Sequence, residues 1–335
     1  MNVLLTSVGR RAYMVKYFKD LIKPEGEVHV CNSDDMTVAF QYADKAVVSP
    51  LIYSDDYIPF LVDYCKNNHI NILISLFDID LYILAKNKKK FEEVGTTVIV
   101  SEPELIEKCN DKWGTYLFLK DNAFNVPKTY LTLDSVMKAL KSGEIKYPVI
   151  VKPRFGCGSI ALSVADDEKD LLYLYEKGTK AVSRTYLKYE SASVDEKIIF
   201  QEMLDGQEYG VDIMNDLRGN VQNAVVKKKI AMRAGETDIA QTVDEPSIYK
   251  EALRLGSITH HIGNMDCDFF LVDGVPYVLE LNARCGGGYP FSHVAGCNMP
   301  KAIVQWYNGE TPDRSLFEAK TGVLTFKELE MTCRK

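Results

Sequence analysis

Several things are missing from this sequence, and each absence closes off a class of function. No apolar run reaches the roughly 18 residues that a membrane helix needs. There is no CxxC pair and no metal-type cysteine spacing. The eight cysteines, at 31, 65, 109, 157, 267, 285, 297 and 333, are scattered, mostly in apolar surroundings, and read as reduced, buried small hydrophobes. Histidine is scarce, five in 335 residues, and His260, His261 and His293 keep the wrong company for a metal site. Excess positive charge is lacking too. With 40 Lys plus Arg against 47 Asp plus Glu, the net charge of −7 has the wrong sign for a general nucleic-acid binder, so any phosphate site must be built locally. No G-x-x-x-x-G-K-[ST] loop, internal repeat, low-complexity tract or Ser-His-Asp arrangement occurs. The chain opens on a strand-like MNVLLTS, without the basic and apolar stretches of a signal peptide. The expectation is a cytoplasmic protein, free of membrane and nucleic-acid partners, with two or three packed subdomains.

What is present centres on Asp268 to Gly288, DFFLVDGVPYVLELNARCGGG. Two apolar strands, 269–272 and 276–281, flank an Asp273-Gly274 turn, the signal of a β-hairpin. Alternation places Glu280 and Asn282 on one face, within reach of Asp268 at the start of the first strand. Hard oxygen donors without His or Cys suit Mg²⁺, which completes its shell with water and substrate phosphates. Arg284 adds a planar cation fitted to phosphate oxygens.

Upstream, residues 1–105 alternate short strands (3–6, 28–31, 46–48, 72–75, 97–100) with helices (11–21, 55–67, 81–91), the pattern of an open parallel sheet. Ligands of such sheets lie beyond the strand carboxyl ends, here Ser7–Arg11, Asn32–Asp35 and Phe77–Asp80. A dinucleotide-binding unit would need G-x-G-x-x-G, and this turn has a single glycine. Further along, YPVIVKPRFGCGSIALSV sets Lys152 in an apolar strand before a glycine loop, Gly156 to Ser159. A strand lysine and backbone N–H groups that come close to phosphates are its offer. A polar loop is expected over 182–196. In IIFQEMLDGQEYGVDIM, the backbone around Gln201, Glu202, Met203 and Leu204 would read an adenine, and Glu208 would accept the ribose hydroxyls. Lys227 and Lys229 share a face, with Lys228 in solvent. Loop AMRAGETDIAQTV would hold an anionic substrate through Arg233, Gly235 and Thr237. A helix over 247–264 and a last strand within 320–330 complete the reading.

Taken in order, these motifs resemble the ATP-grasp superfamily, and within it the carbamoyl-phosphate-synthase-like branch. ELNAR corresponds to the E-x-N-x-R signature, preceded by the strand lysine and the hinge QEMLDGQEY. The resemblance covers nearly the whole chain and implies a mixed α/β and α+β fold. A Rossmann-like pre-grasp domain (1–105) would precede a helical linker and lid (106–200) and a C-terminal grasp subdomain with the metal site (201–335). It implies ATP and two Mg²⁺ ions, with Mn²⁺ able to stand in. Lys112 and Lys152 would contact the phosphates with Gly156, Gly158 and Ser159. The backbone near Met203 and Leu204 would take the adenine and Glu208 the ribose, with Gln201, Glu202 and Lys229 also binding the nucleotide. Asp268, Glu280 and Asn282 would bind metal, Glu280 shared by both ions, with Lys152, Arg284 and Arg233 catalytic. Lysines at 112 and 152, where carbamoyl-phosphate synthases carry arginine, and a single grasp unit argue against a complete enzyme of that kind. The implied activity is ADP-forming ligation of a small-molecule carboxylate to an amine or ammonia through an acyl phosphate, with a homodimer as the assembly. The alternatives are a half-subunit or nucleotide-binding protein that works with a partner, and a nicotinamide-dependent oxidoreductase. Arg10, Arg11, Asp78, Asp80, Arg233, Tyr289 and His293 are expected around the acceptor pocket.

Overall fold

The alternation of the first hundred residues folds as the parallel sheet it predicts. In the computed structural model, which describes all residues except Cys157, Ser159 and Lys335, strands β1 (Asn2–Thr6), β2 (Glu27–Asn32), β3 (Lys45–Val48), β4 (Ile72–Ser75) and β5 (Thr97–Ile99) run parallel in the order β3-β2-β1-β4-β5. Helices α1 (Ala12–Ile22), α2 (Tyr57–Asn67), α3 (Asp78–Lys86) and α4 (Lys88–Glu92) connect them. The central strands are apolar and buried on both faces, as a covered parallel sheet requires. Strand order reverses between β1 and β4, so the turns after these strands flank a crevice. Asp80 pins the two turns together. Its carboxylate accepts from the hydroxyls of Thr6 (2.9 Å), Ser7 (2.8 Å), Tyr57 (2.9 Å) and Ser75. Burial raises its pKa, and these four donors oppose that shift.

Helices α5 (Pro103–Asn110) and α6 (Lys112–Asp121) lead to an antiparallel sheet in the order β6 (Thr129–Tyr130), β9 (Ile198–Glu202), β7 (Val149–Pro153), β8 (Ser163–Ala165). Helices α7 (Leu133–Ser142) and α8 (Glu168–Arg184) accompany it, with a core of their own around Val136, Val151, Leu171, Val182 and Phe200. The polar loop expected over 182–196 begins instead as the end of α8 and continues as α9 (Leu187–Glu190). Leu171, Tyr175, Gly178 and Val182 follow helical spacing, a stripe that outweighs the polar composition around it.

The third sheet is also antiparallel, in the order β14-β13-β10-β11-β12-β15: β10 (Gln207–Asn215), β11 (Val221–Arg233), β12 (Glu236–Thr242), β13 (Asn264–Val272), β14 (Val275–Asn282) and β15 (Leu324–Phe326). The β13–β14 hairpin turns at Asp273 and Gly274, both with positive φ, as a type I′ turn demands. Two expectations fail here. The segment AMRAGETDIAQTV is a β-hairpin with Ala234-Gly235 at its tip, because ladder pairing from Lys227↔Thr242 to Arg233↔Glu236 satisfies its backbone. The helix expected over 247–264 is α10 (Pro246–Thr259), which stops at left-handed His260, and Asn264 already belongs to β13.

One face of this sheet is apolar. Tyr209, Val211, Ile213, Val226, Met265, Cys267, Phe269 and Leu281 share a buried core with Ile248, Ala252 and Leu255 of α10. Helices α11 (Tyr289–Val294) and α12 (Met299–Tyr307) share a second core with α1 and the first sheet through Tyr289, Met299, Ile303, Met14 and Phe18. Among the described residues no helix is long and apolar enough to cross a membrane.

Candidate active site

The opposite face of the third sheet is ionic. Strand alternation sends Glu208, Gly210 and Asp212 of β10 to the same side as Lys227 and Lys229 of β11, Asp266 and Asp268 of β13, and Glu280 and Asn282 of β14. Register aligns them: Asp268 stands between Gly210 and Glu280, and Asp266 between Asp212 and Asn282. Gly210 is also the register partner of Lys227, and a Cβ there would lie 3.3 Å from the Lys229 stem and 3.8 Å from that of Lys227. Glycine at this position leaves room for two lysines to pass side by side.

Charges removed from water must be paired or hydrogen-bonded, and these are. Lys229 bridges Asp268 (2.6 Å) and Glu208 (2.7 Å). Lys227 pairs with Asp212, whose carboxylate also accepts from Asn264 (2.9 Å) and Ser292 (2.5 Å). Arg284 joins Asp266 (3.3 Å) to Asp78 at the start of α3 (2.7 Å), tying the first and third subdomains together. From α6, Lys112 reaches Glu280 (3.3 Å) and the carbonyl of Gly156. From β7, Lys152 is buried and donates to the Gln201 side chain (2.7 Å), which in turn donates to Thr129 (2.9 Å).

Burial lowers the Lys152 ammonium to about 8, with Lys112 pushing the same way and Glu280 opposing. Burial alone would raise Glu280, but Lys112 and Lys152 hold it below its ordinary value. Asp268 is raised by burial despite Lys229, and Asp266 is pushed up to about 6 by burial against Arg284.

The predicted residues fall into three groups. Lys112, Lys152, Glu208, Lys229, Asp268, Glu280, Asn282 and Arg284 come together as this face and its two lysine visitors. Residues 203–205, without regular structure, connect the second and third sheets, while the Glu202 side chain caps the backbone N–H of Lys128 (3.0 Å). Gly156 and Gly158 take positive φ, and the tip at Gly235 approaches the Gly158 backbone; Ser159 lies outside the described residues. The third group is not brought in. Arg233 ends β11 half in solvent, paired with Asp238 and the carbonyl of Lys327 (3.2 Å), because the expected loop is a strand that carries it outward. Asp80 is consumed as the pin described above. Tyr289 is fully buried and accepts from Met299 N–H (2.8 Å), and His293 stacks on Tyr17 (3.6 Å).

Sequence reasoning missed Asp266, two residues from Asp268, and Asp212, four from Glu208, both on the same face as those noted positions, and also missed Glu190. The last of these lines a small cavity with Asp78, Asn110, Lys112, Glu280 and Asn282. Tyr53 of the first subdomain donates to it (2.7 Å) and stacks on Tyr189 (4.5 Å).

Comparison with known proteins gives the family and the fold. Residues 3–99 match the profile of the PylC-like N-terminal domain and residues 109–288 that of the ATP-grasp domain. The chain belongs to the ATP-grasp family. That agrees with the ATP-grasp enzyme expected from the signature. The ATP-grasp chain is similar in fold to the L-amino acid ligase of Bacillus licheniformis (19% identity, 95% of this chain and 77% of that one, TM-score 0.68). It is similar also to the N5-carboxyaminoimidazole synthetase of Staphylococcus aureus complexed with ADP (15%, 93% and 78%, TM-score 0.71). A third likeness is the biotin carboxylase domain dimer of the Hydrogenobacter thermophilus 2-oxoglutarate carboxylase, solved with MgADP, ADP and bicarbonate (17%, 93% and 70%, TM-score 0.71).

Among the described residues no three His, Cys, Asp or Glu side chains converge at metal-ligand spacing. Two register-paired carboxylates, Asp268 and Glu280, and the Asn282 amide oxygen are the hard donors present. This set does not cage an ion by itself but fits Mg²⁺, which draws its remaining ligands from water and phosphate.

Proposed function

We propose that this ATP-grasp protein joins a small-molecule carboxylate to an amine, forming ADP and phosphate through an acyl phosphate. The observation that carries the reading is Glu280, held between Lys112 and Lys152 and paired in register with Asp268. Cations from two separate elements thus surround one carboxylate face, an arrangement suited to a polyphosphate that arrives with its own metal. Asp268, Glu280 and Asn282 would hold Mg²⁺, which when bound neutralises phosphate charge.

In this reading Lys112 and Lys152 bind the phosphates, the 203–205 backbone takes the adenine and Glu208 the ribose. A substrate carboxylate oxygen bonds to the γ-phosphorus as the β–γ bridge breaks and ADP departs. Lys152 and Arg284 stabilise the charge spread over the transferred group. The amine nitrogen then bonds to the acyl carbon, the bond to phosphate breaks, and the nitrogen loses a proton. Positioning and electrostatics do this without a side-chain nucleophile. The acceptor enters at the crevice between first and third sheets, where Asp78 meets Arg284. Residues 1–105, 106–200 and 201–335 serve as base, lid and metal-bearing unit.

The test is ADP release with MgATP and pooled amino and sugar acids, with and without amines. ADP that forms only when an acid and an amine are both present supports the ligase. ATP binding without ADP release from any pool overturns it.

A further inference from the structure

Lys112 and Lys152 come from different elements, α6 of the linker and β7 of the lid, and besides Glu280 of the third sheet a second link joins them. Two neighbouring residues form it. Arg154, two residues after Lys152, grips Asp111 with both arms of its guanidinium: Nε to Oδ1 at 2.7 Å and Nη2 to Oδ2 at 2.6 Å. The same Asp111 Oδ1 accepts from Trp113 N–H (3.0 Å) and so caps α6 at the residue before Lys112. Backbone closes the ring, because Lys112 N–H donates to the Arg154 carbonyl (3.0 Å). On its other side Arg154 N–H donates to the carbonyl of Lys197 (2.9 Å), the residue before β9, which anchors the grip to the strand paired with β7. Two residues beyond Arg154, the Gly156 carbonyl accepts from the Lys112 ammonium. Asp111 and Arg154 are only 15% and 13% exposed, so the ion pair is shielded from screening. The fork is planar and bidentate, which fixes orientation as well as distance.

We propose that Asp111 and Arg154 are positioning residues that hold Lys112 in register with Lys152, so that both ammonium groups reach one nucleotide. The inference rests on the ATP-site reading above. Neither residue touches the phosphates; each acts through Lys112. A lysine at 154 keeps the charge but loses the fork, and an asparagine at 111 keeps the cap oxygen but loses the ion pair.

The experiment is calorimetric binding of MgATP and of its non-hydrolysable analogue to wild type, Arg154→Lys, Asp111→Asn, Lys112→Met and the double variant Arg154→Lys/Lys112→Met, each with a thermal melt. Arg154→Lys and Asp111→Asn should weaken nucleotide binding about tenfold with unbroken cooperative melts, the scale of supporting-shell effects. In the Lys112→Met background Arg154→Lys should add nothing, because its route to the nucleotide is gone. Full additivity in that background, or unchanged affinity in the single variants, overturns the proposal while leaving the ATP site standing. Wild type that binds no nucleotide overturns both.

Discussion

The two faces of the third sheet are made by the same strands and obey opposite rules. On one side Tyr209, Val211, Met265, Cys267, Phe269 and Leu281 bury against α10 and ask only for shape and volume. On the other, Glu208, Lys229, Asp266, Asp268 and Glu280 are satisfied only in specific pairs. The first face is a source of stability by burial, at about 25 cal/mol per Å² of apolar surface. The second gains little net stability, since desolvation offsets the attraction between its charges. Its value is that each carboxylate is already placed for a ligand. The teaching is that a single register can serve packing and chemistry at once, because side chains alternate.

Variants on the two faces should therefore fail in different ways. Glu280→Gln removes the carboxylate between two lysines, and its kcat for ADP formation should fall at least about 10³-fold while the melt stays within a few degrees, as metal-supported charge stabilisation is worth several kcal/mol. Activity within tenfold of wild type would dissolve the functional half of the comparison. Phe269→Ala, one strand position from Asp268, should cost about 3–5 kcal/mol in denaturant unfolding through the cavity it leaves. Its kcat per folded molecule should hold, and a matching collapse in kcat would show that the faces are not separable. A smaller effect comes from Lys152, whose ammonium is lowered to about 8 by burial. It is charged below that pH and neutral above it, so kcat/KM for ATP should fall about tenfold by pH 9, and Lys152→Arg should flatten that limb. A wild-type profile level to pH 9.5 would contradict the role.

The sequence makes one face easier to read than the other for a physical reason. Glu280 and Asn282 interrupt an apolar strand after a type I′ turn, and alternation assigns both to one side; Asp268 joins them through the register shift between Asp268 and Phe269 that pairs it with Glu280. Asp212 and Asp266 lie on that side too, but their partners Lys227 and Arg284 come from other strands and segments of the chain. Pairing of that kind is decided by tertiary register. Arg233 is expected on a loop and lies at the end of β11, because a run rich in Ala, Gly and Thr reads as a loop until the neighbouring strand supplies its hydrogen bonds. The first sheet was almost wholly legible, since parallel strands buried on both faces are continuous apolar runs. Asp80 was legible as a residue beyond β4 but not as a pin, because its four donors come from three separate elements.

The paired state of the ionic face also governs how a nucleotide would arrive. Lys112 already rests on Glu280, Lys229 on Asp268, and Lys227 on Asp212. Such a surface projects little field into the surrounding solution, unlike an open cationic groove, so long-range steering contributes little to encounter. Entry is an exchange of partners at contact, in which lysines pass from carboxylate to phosphate as a cation takes their place. Binding of this kind would depend only shallowly on ionic strength.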